Sequence, residues 1–364
     1  MDGLMEIHHK ISSCIHTQEA RFFFASLPAL VSDKMLCQSY FLKLEAGSFI
    51  ELLARHRMIP AFYLGTDKSD KEVEKAPLFS ALKNSYARFS RKSLLLSGEM
   101  IKISHAAGTR NIPLFFLKGP VLAHKLFGEN SVRQSVDLDA YTSTRYLDQV
   151  GRLLDCLDYK FTGKTTRQSI SIRNYSHKDW LFKHATQPVQ LEVHHRYFFN
   201  KYFNGLFAAK CPKPVKYNFR GNEVLTLPDA WHFLYLVAHG TFHQYFRLFW
   251  LHDIAVFIRS GRIKDWDMMQ HHAASTDLLV HLYLTIRLLK LFYQLEVPGF
   301  IPQNQSLYNK SYRLVTPVIH AVMNPINETF IRRFKRLVYF LRLSNHPAYR
   351  WHVLAGGFLR FFGD

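Results

Sequence analysis

The sequence predicts an α+β fold, with a small core of mixed strands and helices set between two helical regions. Three observations predict it. Apolar residues recur at helical spacing up to about His105. From Asn111 to about Tyr197, short apolar runs alternate with turns and short helical segments. From Leu227 onward the helical pattern returns. The expected organisation is an N-terminal helical region over 1–107, a core over 108–222 and a C-terminal helical domain over 223–364.

In the first region, Glu51 to Pro60 reads as a helix ended by its proline, and Lys68 to Glu74 as a charged loop. Ala81 to Ala107 carries Leu82, Tyr86, Phe89, Leu94, Leu95, Met100, Ile101 and Ile103 at helical spacing and predicts a long helix. In the core, Ile112 to Leu117 is a short apolar run suited to a central strand, and Val121 to Phe127 a short helix. Val136 to Tyr141 reads as a strand. Arg145 to Leu157 reads as an amphipathic helix with Leu147, Val150, Leu153, Leu154 and Leu157 on one side. Ser169 to Arg173 and Trp180 to His184 are further strand candidates, and the turn Thr186-Gln187-Pro188 leads into a last strand from Val189 to Arg196. Beyond it, Pro228 marks a helix start with Thr226 as its expected cap. Trp231 to Ile258 reads as a buried helical pair, and Gly261, Pro298-Gly299 and Pro302 punctuate the later helical segments.

Composition bounds the function. A chain of 364 residues with 48% hydrophobic and 15% aromatic residues can bury a sizeable core, which excludes a disordered chain. Lys and Arg number 47 against 28 Asp and Glu, a formal charge of +19. That excess favours encounter with polyanions such as nucleic acid, anionic lipid, nucleotides or an acidic partner, though a general basic background gives the same sum. Cys14, Cys37, Cys156 and Cys211 are widely spaced with no Cys-x-x-Cys pair, as expected of free thiols in a reducing compartment. The start, Met1 to Glu6, has no basic stretch leading into an apolar one, so no signal peptide is expected, and no spanning helix is visible. The expected location is cytoplasmic. The basic segment Phe330 to Phe362 leaves a peripheral position at the inner membrane surface open, and the alternative is a core-facing helix with a solvated basic face.

Three segments carry chemistry. Lys118-Gly119 lies at a strand-to-helix turn, where glycine lets the backbone approach a phosphate, the next helix offers free amides and lysine adds a charge. Asp137-Leu138-Asp139 comes next. Alternation along a strand puts both aspartates on one face and Leu138 in the core. Two adjacent carboxylates repel unless a cation or proton lies between them, and Mg²⁺ is the natural occupant. Gln190 to Arg196 places Glu192 and His194 on one face, with Leu191 and Val193 on the other. A hairpin partner from Asp179 to His184 would bring Glu192 beside the aspartates as a third carboxylate. Each segment alone also fits solvated acids at a strand end or a common Lys-Gly pair.

Together these segments resemble the polymerase-beta-like nucleotidyltransferase superfamily, and within it an uncharacterised bacterial nucleotidyltransferase branch. The residues that carry the resemblance are Leu117-Lys118-Gly119, Arg133, Asp137-Leu138-Asp139 and Glu192-Val193-His194. Its flanks are Ala54 to Pro60, Leu227-Pro228-Asp229, His239 to His243 and Trp250 to Ile254. The likeness runs from about Glu51 to Ile258. Lys118-Gly119 stands where most superfamily members have Gly-Ser, Val136 where a small residue is usual, and Ala140-Tyr141-Thr142 where an aliphatic run is usual.

The resemblance implies a polymerase-beta-like core and transfer of a nucleotidyl group from an NTP donor with two Mg²⁺ ions. It implies Asp137, Asp139 and Glu192 as metal ligands and catalytic carboxylates, with Glu192 taking the acceptor's proton. It further implies Lys118, Gly119 and Arg133 on the triphosphate. His194 would orient a carboxylate, touch the acceptor or serve the strand. The acceptor would be a small molecule, peptide or protein. Alternatives are a catalytically silent NTP- or nucleic-acid-binding protein, and a membrane-associated accessory protein docking through its basic C-terminal helices. His239 and His243, four apart on a helix, suit a metal pair or packing, and Asp253 suits a cap or an acceptor-site group.

Overall fold

The structure is a computed structural model that describes residues 16–32, 36, 41–163, 179–324 and 330–362. The chain divides into two compact units. One comprises Tyr86–Phe199 and Phe207–His232, and the other Met1–Ser85, Asn200–Leu206 and Phe233–Asp364.

The first unit is built on a seven-stranded mixed sheet. Helix α1 (Pro77–Gly108) enters it with Leu96, Met100, Ile103 and Ala107 on one buried stripe. Strand β1 (Phe115–Phe116) comes after it. The apolar run from Ile112 to Leu117 suits a longer strand, but Pro113 has no amide to give to a ladder and Gly119, at φ 71°, turns the chain into α2 (Pro120–Phe127). Then come β2 (Leu138–Tyr141), α3 (Leu147–Asp155), β3 (Tyr159–Phe161), β4 (Asp179–His184), β5 (Gln190–His194), β6 (Val215–Phe219) and β7 (Asn222–Thr226). The strand expected at Ser169 to Arg173 lies outside the described residues. The order across the sheet is β3-β4-β5-β2-β1-β7-β6.

Strands β2 and β5 are parallel, with Leu138 opposite Leu191, Asp139 opposite Glu192, Ala140 opposite Val193 and Tyr141 opposite His194. Strand β4 runs antiparallel to β5, with Trp180 opposite Val193 and Phe182 opposite Leu191. One face therefore gathers Leu138, Ala140, Leu191, Val193, Trp180 and Phe182, all buried in one core with α1 and with Leu147, Val150, Leu153 and Leu154 of α3. Alternation sends Asp139, Glu192 and His194 to the other face.

Thr226 is not the cap expected of it. It ends β7, and its hydroxyl donates to the Phe116 carbonyl at 2.8 Å, tying β7 to β1. Helix α4 (Asp229–Phe242) starts beyond Pro228 and carries the chain into the second unit.

In the second unit, the helix ahead of Pro60 is Ala46–His56. It ends at a left-handed Arg57, and Pro60 falls in the first turn of the next helix, Ile59–Gly65, where a missing amide costs nothing. The segment expected as a charged loop contains a short helix, Lys71–Lys75, whose cap Asp70 accepts from the amides of Glu72 and Val73. Helices α5 (Phe249–Arg259), α6 (Leu279–Tyr293), α7 (Phe330–Leu343) and α8 (Pro347–Phe362) lie beyond α4 in the chain. The expected buried pair at Trp231 to Ile258 is α4 and α5. They are joined through Gln244 and Tyr245, both left-handed, at φ 51° and 47°. That unfavourable link is held by Tyr245, whose buried ring lies on Gly240 and whose hydroxyl reaches Val237 O at 3.3 Å and Thr285 Oγ1 at 2.8 Å. Among the described residues no helix is long and apolar enough to cross a membrane. Cys156 and Cys211 are free thiols, and Cys14 and Cys37 lie outside the described residues.

Two glycines test this packing. A Cβ at Gly240 would meet the Tyr245 ring at 2.1 Å, whereas one at Gly98 meets nothing within 4 Å. Gly240→Ala should cost about 2 kcal/mol or more in urea unfolding, and Gly98→Ala in helix α1 should gain up to about 1 kcal/mol. Equal effects would contradict the packing described.

Burial pushes the imidazoles of His56, His232 and His281 down to about 3 and that of His252 to about 4. The unfolded chain binds these protons near 6.5. The stability tied to neutral histidines is therefore fully present above that value and falls as pH drops toward 4, by up to about 1.4 kcal/mol per pH unit for each histidine. The urea midpoint should drop between about pH 7 and pH 5, and less steeply in His281→Gln. A midpoint unchanged over that range would refute the buried neutral state.

Candidate active site

The polar face of the sheet meets the β1–α2 turn at Asp139. The Leu117 amide donates to the Asp139 carbonyl at 2.9 Å, which fixes the next residue, Lys118, beside the middle of β2. The Lys118 ammonium lies 2.9 Å from Asp139 Oδ1. His194 Nε2 approaches the same oxygen at 3.1 Å and Glu192 Oε2 at 3.6 Å, while its Nδ1 stands 3.6 Å from Asp179 Oδ2. Asp139 and His194 are buried, at 5% and 1% exposure, whereas Glu192 is half-buried and opens toward solvent.

Electrostatics explains the arrangement. Burial alone would push the Asp139 carboxyl up, but the Lys118 ammonium and the His194 hydrogen bond outweigh it and hold Asp139 well below the usual carboxylate range. Asp139 is therefore ionised in a poorly solvated place. Asp139, Glu192 and Asp179 surround one imidazole. Lys118 pairs with Asp139, and the Arg196 guanidinium acts on Asp179.

The donor chemistry suits a metal ion. One ligand atom each from Asp139, Glu192 and His194 lies within 4.8 Å of the others, and among the described residues this is the group of three that could hold a cation. Two carboxylates and an imidazole fit a divalent ion. Lys118 supplies a positive charge at the same carboxylate.

Elements distant in sequence support this corner. His232, in the first turn of α4, reaches the Leu117 carbonyl through Nε2 at 2.6 Å, and its Nδ1 lies 3.4 Å from the Lys125 ammonium. A carbonyl only accepts, so Nε2 carries the proton and Nδ1 accepts from lysine, which requires the neutral ring. Lys125 also pairs with Asp229 at 2.6 Å and donates to Leu227 O at 3.1 Å. This buried knot clamps the strand end that presents Lys118. Beside it, Tyr141 stacks on Tyr197 at 4.2 Å between ring centroids, and burial pushes its phenol up to about 12.

Of the residues singled out in the sequence, Lys118, Asp139, Glu192 and His194 come together. Gly119 makes the turn beside them, and a Cβ there would lie 3.5 Å from the Asp137 carbonyl. Asp137 is half-buried just ahead of β2 and is not part of the group within 4.8 Å. Its charge acts on Lys92 of α1, whose ammonium burial pushes down and Asp137 partly restores. Arg133 is buried and donates to Ser135 Oγ at 3.1 Å. In the second unit, the rings of His239 and His243 are 4.7 Å apart and pack against Trp250. Asp253 is buried in the middle of α5, so it caps nothing.

Sequence reasoning missed Asp179, Lys92 and His232. Asp179 could have been found, because the expected hairpin puts it opposite His194. Nothing local marks Lys92 or His232.

The family described as uncharacterised nucleotidyltransferase matches residues 43–294, more than half of the chain. No curated protein and no solved structure matches. The matched span contains the whole acidic corner and the turn that supplies Lys118, and the chain thus belongs to the uncharacterised nucleotidyltransferase family, an enzyme of the nucleotidyltransferase class.

Proposed function

We propose that this protein moves an NMP from an NTP to an acceptor hydroxyl or similar group on a small molecule, peptide or protein, with Mg²⁺ and with release of pyrophosphate. One observation carries the reading: Asp139 and Glu192 face each other across β2 and β5 with His194 between them, in a member of a nucleotidyltransferase family.

Asp139 and Glu192, with Asp137 at the strand entrance, would hold the divalent ions. The chemistry such ions supply when bound is neutralisation of the triphosphate and activation of the acceptor oxygen. Asp139 is kept ionised for this task by its neighbours. His194, buried between three carboxylates, orients Asp139 and keeps Glu192 on the same side. Glu192 is the more exposed carboxylate, and it takes the acceptor's proton as the new bond to the α-phosphorus forms and the bond to pyrophosphate breaks.

Lys118 has two partners in turn. Without a divalent ion it neutralises Asp139. With one in place, its charge is available to the phosphates leaving at the Gly119 turn, and Arg133 adds a second positive charge.

Titration calorimetry with ATP, GTP, CTP and UTP tests the proposal. One NTP should bind with Mg²⁺ and not in EDTA. Asp139→Asn should abolish that binding, while Glu192→Gln should keep NTP binding and lose transfer by about a hundredfold or more. Failure of every NTP to bind folded wild-type protein with Mg²⁺ would count against the donor site. The Lys118 exchange has its own signature. Lys118→Met should bind Mn²⁺ more tightly than wild type and NTP more weakly. It should also lose about 3 kcal/mol of metal-free stability, because Asp139 is left buried without its partner. Weaker Mn²⁺ binding in Lys118→Met would refute the exchange.

A further inference from the structure

The last two helices form a patch whose chemistry the transfer reaction does not use. From Phe330 to Phe362 the sequence holds Arg332, Arg333, Lys335, Arg336, Arg342, Arg350 and Arg360, and no Asp or Glu. Helix α7 is anchored through Tyr339 and Leu343, both fully buried, and the Tyr339 hydroxyl donates to Thr241 O at 2.8 Å. It is joined to α8 by the Tyr349 hydroxyl, which donates to Phe340 O at 2.8 Å.

The spacing of Phe334, Leu337 and Leu341 puts them on the side of α7 away from Tyr339 and Leu343. Phe334 is 56% exposed, and Leu337 and Leu341 are half-buried. On α8, Trp351 is 71% exposed and Leu354, one turn on, 47%. Lys335 and Arg342 are exposed to one side of this row, Arg350 is exposed on α8, and Arg332 is exposed at the start of α7. The other four tryptophans, Trp180, Trp231, Trp250 and Trp266, are all buried, so the exposure of Trp351 is specific to this patch.

We propose that helices α7 and α8 dock the protein on an anionic membrane surface. The excess of Arg and Lys draws the patch to acidic headgroups, and an aromatic and aliphatic row beside them enters the boundary between headgroups and acyl chains. Tryptophan is the side chain that settles at that depth. A nucleic acid would use the cations and stack on Phe334 and Trp351, but it offers nothing to Leu337, Leu341 and Leu354. The charge and the apolar face together favour lipid.

The test uses the full-length protein with two kinds of vesicle, phosphatidylcholine alone and equal parts phosphatidylcholine and phosphatidylglycerol. The protein should pellet with the acidic vesicles and not with the neutral ones, and high salt should release it. Tryptophan emission should shift to the blue on the acidic vesicles, and Trp351→Phe should lose that shift. Lys335→Gln and Arg342→Gln combined should weaken binding by about fivefold for each charge removed. Phe334→Ser with Leu354→Ser changes only exposed side chains. It should keep the circular dichroism of the wild type and lose about tenfold or more in vesicle affinity. Absence of binding to acidic vesicles would overturn the proposal, whether or not polyuridylate binds. Equal binding to neutral vesicles, or full acidic-vesicle affinity in the Phe334 and Leu354 variant, would overturn it as well.

Discussion

The parallel pairing of β2 with β5 is the constraint on which the site depends. Side chains alternate across a sheet, so one register settles two things at once. With Asp139 opposite Glu192, residues Leu138, Ala140, Leu191 and Val193 all fall on the face covered by α1 and α3. A slip of one residue in either strand would bury a carboxylate in that core and expose a branched aliphatic residue. The hydrophobic burial that stabilises the unit thereby holds the two acids across from each other. The site costs the fold little extra order.

Holding an ionised carboxylate in a poorly solvated corner requires compensation, and the chain supplies it locally. Lys118 and His194 both bond Asp139 Oδ1, and Lys118 comes from the turn that also presents Gly119. A buried ion pair of this kind contributes little net stability, since desolvation offsets the attraction. Its effect is on charge state: Asp139 stays ionised at neutral pH. The neutral His232, bonded to the Leu117 carbonyl and facing Lys125, locks the strand end beside it without adding another charge. The corner therefore combines rigid backbone with carboxylates gathered around one imidazole.

Much of this arrangement is legible in the sequence. Alternation of Leu191 and Val193 with Glu192 and His194 gives the strand and its faces, and the Asp179–His184 segment gives the hairpin partner. The apolar spacing of α1 and α3 announces the cover of the core. The features that escape a sequence reading are set by contacts far along the chain. The pairing of Lys118 with Asp139 cannot be read locally, because it is reached only through strand pairing. Thr226 reads as a helix cap because a hydroxyl before a proline and a helix is locally satisfying, yet its bond goes to Phe116 on a neighbouring strand. The left-handed pair Gln244 and Tyr245 has no glycine to signal it, and Tyr245 holds it by packing on Gly240. Asp137 shows where alternation stops serving as a guide. It lies just outside the β2 ladder, so the rule that governs Asp139 does not fix its direction.

Divalent-cation binding by Asp139 and Glu192, oriented by His194, is what the proposed transfer requires. Electron paramagnetic resonance of Mn²⁺ added to nucleotide-free protein measures this most directly, because bound Mn²⁺ loses the sharp six-line signal of the free ion. Wild-type protein should cause saturable loss of that signal, Mg²⁺ should compete, and Asp139→Asn should cause no saturable loss. A signal identical in wild type and Asp139→Asn would contradict it.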